Sequence, residues 1–193
     1  EKDDNILFAL NFPVVNGYIN KEKIYNEMKK QGFFERSKIK EQEHRDYIKD
    51  SFKSFLCFKE LINYLSQELK NYKFIVRPHP MEKIETWKKL LQTNNNVEIS
   101  NHNDINYDLD RSKILIQNGC STAFQAALKE VPILSYKPYR GQSDYGSMAN
   151  QLGKMIFKKE EIKNEIIKLT EIKDFKIDDY INKNILNLRI HNH

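Results

Sequence analysis

Five short β-rich runs alternate with longer stretches of helical periodicity, and this alternation constrains the fold more than any other feature of the chain. The runs are NILFALN (5–11), KFIVRP (73–78), NVEIS (96–100), KILIQN (113–118) and PILSY (132–136). Between the first two, Phe55, Phe58, Ile62, Leu65 and Leu69 recur at spacings of three and four, which predicts an amphipathic helix over 54–70. Residues 20–50 carry Ile24 and Met28 at helical spacing, then the polar stretch ERSKIKEQEHRDY, read as a loop followed by a second helix start. Helices are also predicted over 82–92, 121–130, 160–170 and 178–190. Crossovers of this length force parallel pairing, and a parallel sheet needs helices on both faces. The expected fold is α/β: one doubly wound, Rossmann-like parallel sheet built from residues 1–193, with 171–193 a carboxyl-terminal helical segment. Residues 5–11, 73–77, 113–117 and 132–136 are expected to be adjacent parallel strands.

A chain of 193 residues with 39% hydrophobic, 31% charged and 11% aromatic residues can bury a core of ordinary size. Its formal charge of +5 comes from lysines interspersed with glutamates, as in KEKIYNEMKK and FKKEEIKNEIIK, the pattern of solvated helix faces. A nucleic-acid binder would cluster its basic residues with stacking aromatics, so nucleic acid is not an expected partner. The mild positive balance suits an anionic substrate or peripheral association with an anionic membrane. No run of about 18 apolar residues is present, and EKDDNILFAL lacks the basic-then-apolar pattern of a signal peptide. A cytoplasmic protein is expected, and a start at Glu1 instead of Met suggests a piece of a longer one. The two cysteines, Cys57 and Cys120, fit neither a disulfide framework nor a metal knuckle, in keeping with a reducing compartment.

In doubly wound sheets, ligands bind at the carboxyl ends of the strands, and two such ends carry unusual residues. In RPHP (77–80), Pro78 and Pro80 fix their own φ and push Arg77 and His79 toward extended geometry. The stiff turn holds an imidazole and a guanidinium where a phosphate could be met. The structural alternative is a surface histidine in a turn that needs only its prolines. In the second, KILIQ runs into Asn118–Gly119, then Cys120, Ser121, Thr122 and the apolar AFQAAL. A helix start with free N–H groups and small hydroxyl residues is a cradle for a phosphate or carboxylate. The alternative here is that Thr122 and Gln125 form a capping box that serves only the helix. After the fifth run, KPYRGQSDYGSMANQLG brings Arg140, Gln142, Ser143 and Asp144, which either reach the same cleft or form a surface loop. SNHNDINYD, with His102 and Asp104, has no metal-ligand spacing and reads as a loop. A nucleophilic role for Cys120 would need a base partner that the sequence does not offer.

Together these motifs resemble a family. FIVRPHP with Glu82 and Trp87 after it, followed by ILIQNGCSTAFQAALKEVPILSYKP, is similar to the carboxyl-terminal half of bacterial surface carbohydrate biosynthesis proteins, glycosyltransferases of the two-domain GT-B type. Members typically read RPHP and then HNGCTTxxEAxLLGxPVISYRP, and the likeness covers roughly residues 71–140. The resemblance implies a donor-nucleotide-binding domain acting in capsule or lipopolysaccharide synthesis, at or near the inner face of the membrane. In related transferases that use CMP-activated acidic sugars, an HP dipeptide and a hydroxyl pair contact the donor nucleotide and its phosphate. Carried over by motif, His79 and Pro80 are the HP pair and Ser121 and Thr122 the hydroxyl pair, with Arg77, Asn118, Gly119, Gln125 and Arg140 as further donor contacts. The family histidine before Asn-Gly is Gln117 here, and the family glutamate is Gln125, which hydrogen-bonds but cannot act as a base. The implied partners are a nucleotide-sugar donor, CMP-sugar favoured, a glycan acceptor, and an amino-terminal acceptor domain that this length does not accommodate. No residue of the chain is assigned as the catalytic base. The strand ends carry no Asp-x-Asp cluster, and neither a metal nor another cofactor is expected.

The rival readings are a sugar-nucleotide epimerase of the same build and a non-catalytic nucleotide-binding module. A receiver domain would need an acidic pair just after the first strand, whereas Asp3 and Asp4 precede it. The Gly-x-Gly-x-x-Gly of a dinucleotide-binding domain and the Gly-Lys-Ser/Thr of a P-loop are both lacking.

Overall fold

The computed structural model describes residues 5–36, 41–138, 148–172 and 175–177. Six strands, β1 (Asn5–Ala9), β2 (Lys73–Arg77), β3 (Val97–Ile99), β4 (Ser112–Gln117), β5 (Ile133–Tyr136) and β6 (Lys154–Ile156), form one sheet in the order β3-β2-β1-β4-β5-β6. Every pairing is parallel. This is a Rossmann-like doubly wound α/β fold, and the four strands expected to be adjacent are adjacent. Nine helices are described: α1 (Pro13–Asn16), α2 (Lys21–Lys30), α3 (Phe33–Arg36), α4 (Glu41–Glu68), α5 (Ile84–Leu91), α6 (Ile105–Asp110), α7 (Thr122–Leu128), α8 (Met148–Gln151) and α9 (Lys159–Thr170). The helix expected over 178–190, and Arg140 with its loop neighbours, lie outside the described residues. No described helix is long and apolar enough to cross a membrane.

The strands alternate by the two-residue period of a pleated sheet, and both of their faces are apolar, so each face gathers its own core. Ile6, Phe8, Phe74, Val76, Ile114, Ile116, Leu134 and Tyr136 face one layer, with Phe58, Ile62 and Leu65 of α4, Trp87 of α5 and Ile162 and Ile166 of α9. Leu7, Ala9, Ile75, Leu115 and Ile133 face the other, with Leu109 of α6, Ala123 and Ala126 of α7 and Ala149 of α8. Alanines on the second face let α7 lie close to the sheet, which brings the turn before it near the end of β1.

Several elements differ from the sequence expectation, among them α1 and α8, which were not expected, and the three that follow. The helix expected over 54–70 begins at Glu41, and its first ten residues bury nothing, so no apolar stripe marked them. That half is held by an aromatic cluster of Tyr25, Phe34 and His44, with ring centroids 5.8 and 5.6 Å apart along the chain of contacts. SNHNDINYD is not all loop: Asp104 caps α6 by accepting from the Asn106 amide at 2.9 Å. β6 was not expected, because three residues give no periodicity. It is admitted by Gly153, where a Cβ would stand 2.6 Å from Ile133 Cγ2.

Candidate functional site

The strand order reverses between β1 and β4, the position at which doubly wound sheets open a crevice above their carboxyl ends. A cleft of about 250 Å³ lies there, lined by Ala9 and Leu10 from β1 and its exit, Arg77, Pro78, His79 and Pro80 from the exit of β2, Asn103 and Ile105, and Cys120, Ser121, Thr122 and Gln125 from the exit of β4. A second cleft of about 370 Å³ runs toward β3, lined by Tyr18, Glu82, Ile84, Ser100, Asn101 and His102. Arg77, Pro78, His79, Pro80 and Asn103 line both, so the RPHP turn is the wall that the two clefts share.

The turn is closed by local bonds. The Glu82 amide donates to the His79 carbonyl at 2.8 Å, and the His79 amide donates to Glu82 Oε1 at 3.2 Å. The Met81 amide donates to His79 Nδ1 at 3.1 Å. Nδ1 is thereby the acceptor nitrogen of the neutral ring, and Nε2 carries the proton. Nε2–H has no partner among the described residues, so the half-buried imidazole offers a donor at the shared wall.

Arg77 is tied from below. Its Nη1 donates to Asp108 Oδ2 at 2.7 Å, and Asp108 is completely buried. The same carboxylate accepts from Ser100 Oγ at 2.6 Å and from Arg111 Nη2 at 3.1 Å. Arg111 grips Glu98 with both Nη atoms, and Lys73 reaches Glu98 at 2.7 Å. Three cations thus face two carboxylates, leaving one positive charge unmatched among the described residues. Apart from the Asp108 bond, the Arg77 guanidinium has no acceptor among the described residues.

The Arg111 hydrogen bonds, ahead of those from Lys73, pull the Glu98 carboxyl from its ordinary value of 4.5 down to about 2. A carboxylate depressed on folding contributes stability above its unfolded value and loses it as pH falls through the folded one. Glu98→Gln is therefore expected to be less stable than the parent at pH 7, with the difference vanishing between about pH 4.5 and 2. Denaturant titrations of both proteins across that range check it. The gap at pH 7 should be modest, since the Glu98 side chain is one-third exposed.

At the exit of β4, bonds within the protein, some local and some long-range, consume much of what sequence reading assigned to ligand. Asn118 Oδ1 accepts from the Asn11 amide at 2.9 Å, and its Nδ2 donates to the Asn11 carbonyl at 3.2 Å, splicing the β4 exit to the β1 exit. Gly119 takes φ 88°, a value that a Cβ disfavours, and this conformation turns the chain toward α7. The Gly119 and Cys120 amides both donate to Gln117 Oε1. Buried Gln117 is fixed in turn by donating to Ser135 Oγ at 2.7 Å and Asn150 Oδ1 at 3.0 Å. The Ala123 and Phe124 amides bond back to Cys120 and Ser121. The Ser121 and Thr122 backbone amides, the Ser121 hydroxyl and the Gln125 side-chain amide remain without partners among the described residues. The cradle is narrower than expected, and α7, at seven residues, has only a small dipole to add.

The alternative to a cradle, a capping box of Thr122 and Gln125, does not form. Ser121, not Thr122, is the N-cap, it lies in the α region (φ −59°, ψ −17°), and no side chain caps the helix. Thr122 Oγ1 instead receives the Cys120 thiol at 3.2 Å.

Arg77, His79, Pro80, Ser121, Thr122 and Gln125 therefore converge on one cleft, while Asn118 and Gly119 shape its wall. Sequence reading missed Gln117, Glu82, Asn11 and Asp108. The first two stand inside motifs that were singled out, and an amide before Asn-Gly or a glutamate just after RPHP was the available signal. No family model matches this chain, and no curated protein matches it.

Proposed function

We propose that this chain is the donor-binding domain of a GT-B-type glycosyltransferase of bacterial surface polysaccharide synthesis, with a CMP-activated acidic sugar as donor. The observation that carries the reading is the pair of clefts meeting at Arg77 and His79 above the switch point. A nucleotide sugar is an anion with an organic group on either side. A cation and an N–H donor at the shared wall of two clefts match that shape better than a simple phosphomonoester does. The likeness of RPHP and NGCST to the family motifs supports the same assignment.

In the transfer, an acceptor hydroxyl of the glycan attacks the anomeric carbon as the bond from that carbon to the phosphate oxygen breaks. Arg77, His79 Nε2–H and the Ser121–Thr122 turn stabilise the charge that collects on the departing nucleotide. A base takes the acceptor proton, and it belongs to the amino-terminal acceptor domain expected to complete the enzyme. Such an enzyme would act in the cytoplasm, at the membrane's inner face.

Thermal shift against CMP, CDP, UDP, GDP and NAD tests this. CMP is expected to stabilise most, by about 2.7 kcal/mol at a hundred times its dissociation constant. A folded sample that none of these nucleotides stabilises would defeat the reading.

A further inference from the structure

Glu82 lies beside the clefts but is only 2% exposed, and its carboxylate faces inward, where it accepts four hydrogen bonds. Oε1 takes the Phe12 amide at 2.8 Å and the His79 amide at 3.2 Å, while Oε2 takes Trp87 Nε1 at 2.8 Å and Asn16 Nδ2 at 3.2 Å. Its own amide closes the turn on the His79 carbonyl at 2.8 Å. Glu82 thus holds His79 by both backbone polar groups and ties it to the β1 exit, seventy residues away. Once the backbone is held so, the Met81 amide reaches Nδ1 and the free proton sits on Nε2.

We infer that Glu82 is a positioning residue: it sets the placement and the Nε2–H tautomer of His79, and through them the anion affinity of the shared wall. The affinity half of this inference rests on the nucleotide-binding reading above, whereas the tautomer half does not. A purely structural glutamate would change stability and leave both properties of the folded protein alone.

An amide in place of the carboxylate has one oxygen for two pairs of donors. In Glu82→Gln, the Trp87 indole competes with the backbone amides of Phe12 and His79 for that oxygen. Trp87→Phe removes the competitor, and Asn16 can turn its own oxygen to the new NH₂ by giving up its bond to the Lys83 carbonyl. The tests are nitrogen-15 NMR of the imidazole, without ligand, and CMP titration. In Glu82→Gln the His79 ring is expected to lose its single tautomer and CMP to bind several-fold more weakly. Adding Trp87→Phe is expected to restore the Nε2–H tautomer and to bring affinity back within about twofold of the parent. In Glu82→Ala/Trp87→Phe the tautomer is lost, affinity falls about tenfold, and a further His79→Ala has no added effect. A parent-like tautomer in Glu82→Gln, or no rescue by Trp87→Phe, overturns the inference even if the alanine variant does not fold. A parent that fails to bind CMP at all overturns the nucleotide reading, and the tautomer measurements still decide the role of Glu82.

Discussion

Asp108→Ala is expected to destabilise the protein by about 3–5 kcal/mol, the cost of leaving buried guanidinium charge without its counter-ion. Asp108 is wholly buried and receives Arg77, Arg111 and Ser100, so its removal orphans Arg77 and a hydroxyl and leaves Arg111 with Glu98 as its remaining carboxylate. The Arg77 side chain is only 13% exposed, so most of it is shielded from water. For a chain of this size the loss corresponds to roughly 6–20 °C in Tm. Urea unfolding of parent and variant measures it, and a loss under about 1 kcal/mol would mean that the arginines find water or other partners. A folded Asp108→Ala should also bind anions less well despite its extra net positive charge, because Arg77 would no longer be aimed from beneath.

That result bears on what could be read from the chain before its fold was known. The sheet was legible because its central strands are apolar runs buried on both faces, and such runs need no knowledge of their partners. The RPHP turn was legible for a similar reason, since two prolines stiffen it locally whatever surrounds it. Asp108 was not legible. It sits in a stretch that reads as loop, and its meaning comes from Arg77, thirty-one residues away. Asn118 shows the converse: sequence position pointed to a ligand contact, but the Asn11 backbone, 107 residues distant, takes both ends of its amide. Thr122 and Gln125 fit a capping pattern at the right spacing, yet the turn at Gly119 enters the helix one residue earlier. Residues whose role is set locally were found, and those whose role is set by a distant donor or acceptor were missed.

The most direct measurement of the site is calorimetric titration of CMP into the parent and His79→Ala. The imidazole contributes one donor, Nε2–H, without a partner among the described residues, at the wall shared by the two clefts, and Pro78 and Pro80 keep the turn in shape without it. A hydrogen bond to a charged phosphate is worth about 1.5–3 kcal/mol, or roughly tenfold to a hundredfold in affinity. His79→Ala should therefore keep the parent's circular dichroism and nearly its Tm while binding CMP ten to a hundred times more weakly, by the same estimate. Equal affinity in the two proteins, or a His79→Ala protein that unfolds, would contradict the assignment of the RPHP turn to the nucleotide phosphate.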